Sequence, residues 1–260
     1  MCGPELCFGL PLPMARKGWF TNWFNSPYYH QLYAHRDDKE AKAFLERLIA
    51  HLHPLPGATM LDMACGRGRH SRMLSGLGFD VTGVDVAPDN IRFAKRYETE
   101  QLHFQVHDMR KILCSRSFDY VFNFFTSFGY FDQLHQHELA LHTMVTALKK
   151  GGVLVMDYLN SEYASQQLIA REEKTIKGTG FLITRREDAR YFYKEITVTD
   201  PGLEKPLHFT EKVCKFSAGE LQHMLQKQGM TIREIMGDYQ LHAFDARTSP
   251  RLILIAEREQ

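Results

Sequence analysis

The sequence predicts an α/β fold built on an open parallel sheet, and three observations carry that expectation. First, Met60-Leu-Asp-Met-Ala-Cys-Gly-Arg-Gly-Arg-His70 joins an apolar run to an acid, two glycines (Gly66 and Gly68) and the start of a helical pattern. Phe79 to Asp85 follows as a second apolar run ending in an acid. Strand, glycine turn, helix, strand, acid is the order of a nucleotide-binding βαβ unit. Second, strand-like and helix-like segments alternate from residue 58 to residue 160, the pattern of parallel strands joined by crossover helices. Third, the pattern after residue 160 switches to alternating strands around turns, which marks a small antiparallel sheet inserted after the fifth strand.

The elements follow in chain order. Residues 1–13 lack the basic region and long apolar core of a signal peptide, and Pro4, Pro11 and Pro13 discourage helix. Met14 offers an alternative start, and this leader is expected to be loosely held. Residues Trp19 to Tyr33 hold both tryptophans and a dense set of rings, which suit either a clamp fastening the N-terminus to the core or a lid over a half-polar ligand. From Asp38, helical spacing puts Ala41, Phe44, Leu45, Leu48 and Ile49 on one face, and Pro54 and Pro56 end that helix. The helix opened at Gly68 runs through Leu74 to Gly76–Gly78, and Pro88 opens the next, with Ile91, Phe93 and Ala94 available to face the sheet. His103 to Asp108 and Phe118 to Asn123 read as the third and fourth strands. Glu138 to Leu148 reads as a helix closed by Lys149-Lys150-Gly151-Gly152, with Gly152 to Tyr158 as the fifth strand. Thr179–Arg186 and Tyr191–Thr199 form a hairpin around residues 187–190, and Leu207 to Phe216 is a third inserted strand. Ser217-Ala-Gly-Glu220 is a capping box opening the final helix, on which Leu221, Met224 and Leu225 face inward. Met230–Gly237 and Arg251–Glu257 complete the strands.

The glycine turn does not suit a pyrophosphate. Ser71 stands where a dinucleotide loop needs a third glycine, and the Asp62 carboxylate at the strand's carboxyl end would repel a phosphate but suit an ammonium group. These residues resemble the first motif of class I S-adenosylmethionine-dependent methyltransferases, acid-x-x-x-Gly-x-Gly. The resemblance covers residues 58–160 well and the C-terminal strands more loosely. It implies a Rossmann-like seven-stranded sheet with an antiparallel last strand and helices on both faces. It implies S-adenosylmethionine as cofactor, or S-adenosylhomocysteine as its product. Asp62 then helps hold the methionine amino group, the Gly66–Gly68 turn passes beside the methionine moiety, Asp85 takes the ribose, and Ala64 and Val86 join the cofactor-binding set. Asp108 accepts from the adenine amino group, Met109 packs on the ring, and Asn123, at the end of the strand beside which the chemistry occurs, is expected to bind the cofactor as well. Without the resemblance, an acid after a strand is as readily a helix cap or turn former as a ligand contact.

Composition narrows the rest. At 260 residues and 44% hydrophobic content the chain suits one α/β domain with an insertion. It divides into a leader, aromatic segment and helix (1–57), the cofactor-binding core (58–160), the insertion (161–216), and a helix with two last strands (217–260). Thirty-two basic against 31 acidic residues argue against a nucleic-acid partner. No apolar run approaches the ~20 residues of a membrane span, and five cysteines without a C-x-x-C pair suggest a reduced, cytoplasmic protein.

Methyl transfer is an in-line displacement that chiefly needs alignment and exclusion of water, so no fixed triad is required and the catalytic residues stay unassigned. Asn123-Phe-Phe-Thr126 lacks the diproline of base amino-methyltransferases, and no Pro-Cys pair serves C5-cytosine chemistry. A small-molecule substrate remains, with Tyr29, His30, Tyr130 and Tyr158 as substrate-facing candidates. No metal site is expected: His135, His137 and His142 are read as a solvated helix surface, since 137 leaves the face that 135 and 142 share. A binding or regulatory protein without turnover and an NAD-dependent oxidoreductase are the alternatives. The insertion either covers the substrate cleft or forms a homodimer interface.

Overall fold

The computed structural model describes residues 19–33 and 38–259; the leader lies outside them. Two short helices, α1 (Trp19–Phe24) and α2 (Pro27–Leu32), precede α3 (Asp38–Leu52), on which Ala41, Phe44, Leu45 and Leu48 are buried as the spacing predicts. Then come β1 (Thr59–Met63), α4 (Arg69–Gly76), β2 (Asp80–Asp85), α5 (Pro88–Ala94), β3 (Leu102–Val106), β4 (Phe118–Asn123), α6 (Leu134–Ala147) and β5 (Leu148–Leu159). After α7 (Ser161–Gln166) the chain forms β6 (Arg171–Ile176), β7 (Thr179–Glu187), β8 (Tyr191–Thr199) and β9 (Leu207–Cys214). It closes with α8 (Ala218–Gln226), β10 (Met230–Met236) and β11 (Arg251–Arg258).

The main sheet has the order β10-β11-β5-β4-β1-β2-β3, with β11 antiparallel to both neighbours and the other six strands all running the same way. Apolar groups on both faces of β1, β4 and β5 meet helices on either side, as a parallel sheet requires. Because β1 pairs with β2 on one edge and β4 on the other, the chain reverses direction there. A crevice opens at the carboxyl ends of those strands, where open sheets bind ligands.

Several elements depart from the sequence reading. The helix α6 ends at Ala147, and Lys149–Gly152 belongs to β5 rather than to a glycine cap. Leu148 turns extended at once because its side chain enters the core and Lys149 Nζ reaches Asp119 on β4 at 2.9 Å. Helix α6 also starts at Leu134, earlier than Glu138, and carries His137 inward. That histidine is buried among Phe128, Phe131 and Phe216 and accepts from the Phe131 amide at 3.3 Å, whereas His135 and His142 are exposed. Phe93 does not face the sheet; its ring lies between the guanidinium groups of Arg67 and Arg96.

The added sheet has four strands, order β6-β7-β8-β9, not three. β6 escaped notice because Arg-Glu-Glu-Lys-Thr-Ile carries no apolar alternation; it is an edge strand, where charge discourages further pairing. Helix α7, capped by Asn160 Oδ1 accepting from the Glu162 amide, escaped as well. On the sheet's inner face Phe181, Ile183, Ile196 and Val198 bury against Trp23 and Leu32 from α1 and α2. The aromatic segment is thus fastened to the insertion. Trp23 is fully buried, 4.6 Å from Phe209 between ring centres, and its indole N–H donates to Glu211 Oε1 at 2.6 Å. No described helix is long and apolar enough to cross a membrane.

Candidate active site

The turn leaving β1 is left-handed at Ala64 (φ 67°), Gly66 (φ 58°) and Gly68 (φ 76°). Gly68 starts α4, and a Cβ there would overlap the Phe104 ring at 2.5 Å, so this glycine serves close helix-to-strand packing and does not line the crevice. At Gly66 a Cβ would meet no protein atom within 4 Å, because the residue borders open space. Its amide donates to Asp85 Oδ2 at 2.9 Å, while Oδ1 accepts from the Ala87 amide at 2.8 Å. Burial raises the Asp85 pKa, and these two bonds with Asn90 oppose the rise.

Asp62, near the end of β1, is also buried. Its Oδ2 accepts from Ser71 Oγ at 2.6 Å, one turn into α4. Burial raises its pKa to about 6 against the Ser71 bond, with Asp85 nearby pushing the same way as burial. Asp108 lies beyond β3 and is engaged by its own turn: Oδ1 accepts from the Arg110 amide and Nε at 3.0 Å, and Oδ2 accepts from Nη2 at 2.6 Å. Burial works against ionisation there, but the Arg110 bonds prevail and hold the carboxyl below its usual range. The turn-forming role left open in the sequence is therefore realised.

These acids surround one cavity of about 530 Å³. Asp62, Ala64, Gly66, Asp85, Val86, Asp108 and Met109 line it, as do Tyr29 and His30 from α2 and Tyr130. Burial and the nearby Arg67 charge lower the His30 pKa to about 4, against the Asn90 bond. Asn123 does not reach the cavity. It is fully buried, and its Nδ2 donates to the Met63 carbonyl at 3.0 Å, tying the end of β4 to the end of β1. Tyr158 is not substrate-facing either. It points into the core between Phe128 and Phe216, and its hydroxyl donates to the Cys214 carbonyl beneath Gly129.

The opposite wall is Phe124–Ser127, just after β4. Phe125 (φ 56°) and Thr126 (φ 59°) are consecutive left-handed residues that are not glycine, an arrangement costing roughly 1–2 kcal/mol per residue. The Phe125 ring stacks on His70 (4.9 Å between centres, 13° between planes) and lies 5.2 Å from the Arg69 guanidinium. Sequence reasoning missed Ser71, His70, Arg69, Thr126 and Glu211. Ser71 was legible from helical spacing, which sets it on the inner face of α4 above Asp62, but Glu211 reaches the cavity through the added sheet, and no local pattern signals that.

A family model described as a methyltransferase domain matches residues 33–235. Among curated proteins, the chain is 25% identical over 189 residues to the dTDP-3-amino-3,4,6-trideoxy-alpha-D-glucopyranose N,N-dimethyltransferase of Streptomyces venezuelae, covering 69% of this chain and 78% of that one. It is 30% identical over 111 residues to a ubiquinone biosynthesis O-methyltransferase of Xanthomonas campestris pv. campestris, covering 41% of this chain and 45% of that one. Among solved structures, an S-adenosylmethionine-dependent methyltransferase from Clostridium acetobutylicum superposes with a TM-score of 0.77 at 17% identity, over 92% of this chain and 99% of that one. An amino pentose methyltransferase from Micromonospora echinaspora, solved with S-adenosylmethionine bound, superposes with a TM-score of 0.66 at 20% identity, over 90% and 97%.

Proposed function

This chain belongs to the methyltransferase domain family, and from that premise we propose that it transfers a methyl group from S-adenosylmethionine to an amine or hydroxyl of a small molecule held in the cavity beside Asp62 and Asp85. The observation that carries the reading is the ladder of three acids at the carboxyl ends of adjacent strands, opening into one cavity with an aromatic opposite wall. The residues fit the donor. Buried Asp85 accepts from the Gly66 and Ala87 amides and from Asn90, which leaves it a lone pair for a ribose hydroxyl, and the open space over Gly66 gives a chain room to pass where a Cβ would stand. Asp62 offers a buried carboxylate to an ammonium group, and Val86 and Met109 offer apolar surface to a flat base. Asp108 is assigned to the adenine amino group through the lone pairs that Arg110 leaves.

When bound, the donor supplies a methyl carbon already made electrophilic by a cationic sulfur. The chain has to align the acceptor, keep water out and let a proton leave. Phe124, Phe125, Tyr130 and Phe131 exclude water and present ring faces, which favour a cation nearby. His30 is neutral at pH 7 and can accept a hydrogen bond from an acceptor's O–H or N–H. With a pKa of about 4 it orients that group rather than retaining the proton. Asn123, one layer back, holds β4 against β1 instead of touching substrate.

The added sheet is assigned to covering the cavity. Its inner face brings Glu211 to the cavity, and its outer face presents Thr184, Glu195, Thr197 and Thr210 beside Leu182, Tyr191 and Tyr193, with the two tyrosine rings covered by Lys212 and Arg186, a mostly polar surface for a second copy. The near balance of charge favours a small-molecule acceptor over nucleic acid. The proposed setting is the cytoplasm, which suits the odd count of cysteines.

Calorimetry with S-adenosylhomocysteine, followed by transfer of labelled methyl from S-adenosylmethionine to a panel of small amines and alcohols, tests the proposal. Micromolar binding and transfer to at least one amine or hydroxyl are expected. A folded chain that binds no S-adenosylhomocysteine overturns it.

A further inference from the structure

Behind the wall formed by Phe125, Thr126 and Ser127 lies an ion pair that does not line the cavity. Asp157 on β5 is fully buried, and Arg251 opens β11 one strand away. Arg251 Nε donates to Asp157 Oδ1 at 2.8 Å, and its Nη2 donates to Thr126 Oγ1 at 2.9 Å. The other carboxylate oxygen accepts from the Phe125 amide at 2.8 Å and from the Tyr239 hydroxyl at 3.1 Å. The Thr126 amide donates to the Asp157 carbonyl at 3.0 Å. Two residues on neighbouring strands thus supply partners to both amides and the hydroxyl of the Phe125–Thr126 pair.

That pair needs holding. Both residues sit at positive φ, and Thr126 is β-branched, the type that avoids this region most strongly. Residues in such conformations persist where the surroundings over-determine them. A buried ion pair, for its part, is a poor source of net stability, because losing water offsets much of the attraction. What this pair supplies is direction: a guanidinium and a carboxylate that bind each other and, with their free valences, one loop.

We propose that Asp157 and Arg251 form a positioning clamp that holds Phe125–Thr126 left-handed and so seats the Phe125 ring on His70, its neighbour in the cavity lining. Tyr239 closes the far side of the clamp, with its ring 5.3 Å from that of Phe125 and 4.7 Å from that of Phe44. Without the clamp the chain leaving β4 relaxes toward an extended or right-handed path, and the ring leaves the first turn of α4. The clamp acts on the methyl-transfer reaction through this wall, so its bearing on catalysis rests on the function proposed above, while its effect on the loop does not.

Amide hydrogen exchange on the full chain tests it. Arg251→Lys keeps the charge but not the two-directional fork, and it is expected to speed exchange of the Phe125 and Thr126 amides by about 30-fold, with Val155 and Ile253 within about threefold of the wild type. Adding Thr126→Gly should return the Phe125 amide toward wild-type protection, because glycine takes a positive φ unaided. Acceleration shared equally by β5, β11 and the loop, no acceleration, or failure of the glycine to rescue would each overturn the clamp. S-adenosylhomocysteine calorimetry on the same wild-type sample reads the cavity's function separately, and a null there removes the methyltransferase reading without touching the exchange result.

Discussion

Ser71 Oγ stands 2.6 Å from Asp62 Oδ2 and donates its hydrogen to that buried carboxylate. Burial raises the Asp62 pKa from 3.8 to about 6, and the Ser71 bond restrains the rise. The folded state therefore binds this proton more tightly than the unfolded chain does. The stabilisation is complete below pH 3.8 and is lost as pH rises through about 6; an ionised Asp62 at pH 7.5 is a cost. A shift of this size corresponds to about 3 kcal/mol at most. Asp62→Asn should melt several degrees above the wild type at pH 7.5, and the gap should close by pH 4. The same variant should bind S-adenosylhomocysteine more weakly. A melting curve that matches the wild type at both pH values would show that Asp62 is not an uncompensated charge.

Asp85→Ala removes acceptors from the Gly66 and Ala87 amides as well as the proposed ribose contact. Hydrogen bonds to a charged group are worth about 1.5–3 kcal/mol each, so an affinity loss near 100-fold is expected alongside a fall of several degrees in melting temperature. Asp85→Asn separates the two effects. It keeps one acceptor for the backbone but turns a donor toward the other amide. Calorimetry showing unchanged affinity in a folded Asp85→Ala variant would remove Asp85 from the site.

Asp108 carries a prediction that the sequence alone would phrase differently. Arg110 grips both of its oxygens, and the Arg110 guanidinium also lies 5.0 Å from the Phe131 ring centre. Asp108→Asn places an amide N–H against that guanidinium and should lower the melting temperature as well as the affinity. Arg110→Met keeps the carboxylate and frees it of the guanidinium, leaving only the amide of residue 110 on Oδ1. If Asp108 serves the adenine amino group, Arg110→Met should bind S-adenosylhomocysteine at least as well as the wild type. A loss equal to that of Asp108→Asn would mean the ion pair is structural.

The main sheet was legible because its signals are local. Asp62, Gly66 and Asp85 fall within a single βαβ unit, and the capping box at Ser217 forms with Glu220 as its spacing predicts. What stayed hidden depends on distant partners. Leu148 and Lys149 join β5 because Asp119 and the core draw them in, overriding a helix stop written in the lysines and glycines. Tyr158, at the carboxyl end of the fifth strand, is a substrate-facing candidate by sequence. Its hydroxyl instead meets a carbonyl of β9, an element 56 residues away. His137 and His135 differ by two positions on one helix, and only the rings of Phe128, Phe131 and Phe216 decide which of them is buried.

The last prediction concerns whether α1 and α2 move. Trp23 is already fully buried against the added sheet, its indole bonded to Glu211, and Tyr33 donates to the same Glu211 oxygen at 2.8 Å. On the other side Asn25 and Phe24 bond to Asp89 and Asn90 on α5. The segment is therefore fixed at both ends, and the wall that Tyr29 and His30 contribute is built before any ligand arrives. Hydrogen exchange around Trp23 should be the same with and without S-adenosylhomocysteine, while Tyr29 and His30 should gain protection where they face the cavity. Trp23→Ala should cost about 3–5 kcal/mol, the usual penalty for emptying a buried large ring, and should release α2 from the insertion. Released, Tyr29 and His30 no longer line the cavity, and affinity for S-adenosylhomocysteine should fall about tenfold, a loss of about 1.4 kcal/mol. If a folded Trp23→Ala variant binds as tightly as the wild type, α2 contributes nothing to the donor's site, and Tyr29 and His30 face only the acceptor's part of the cavity.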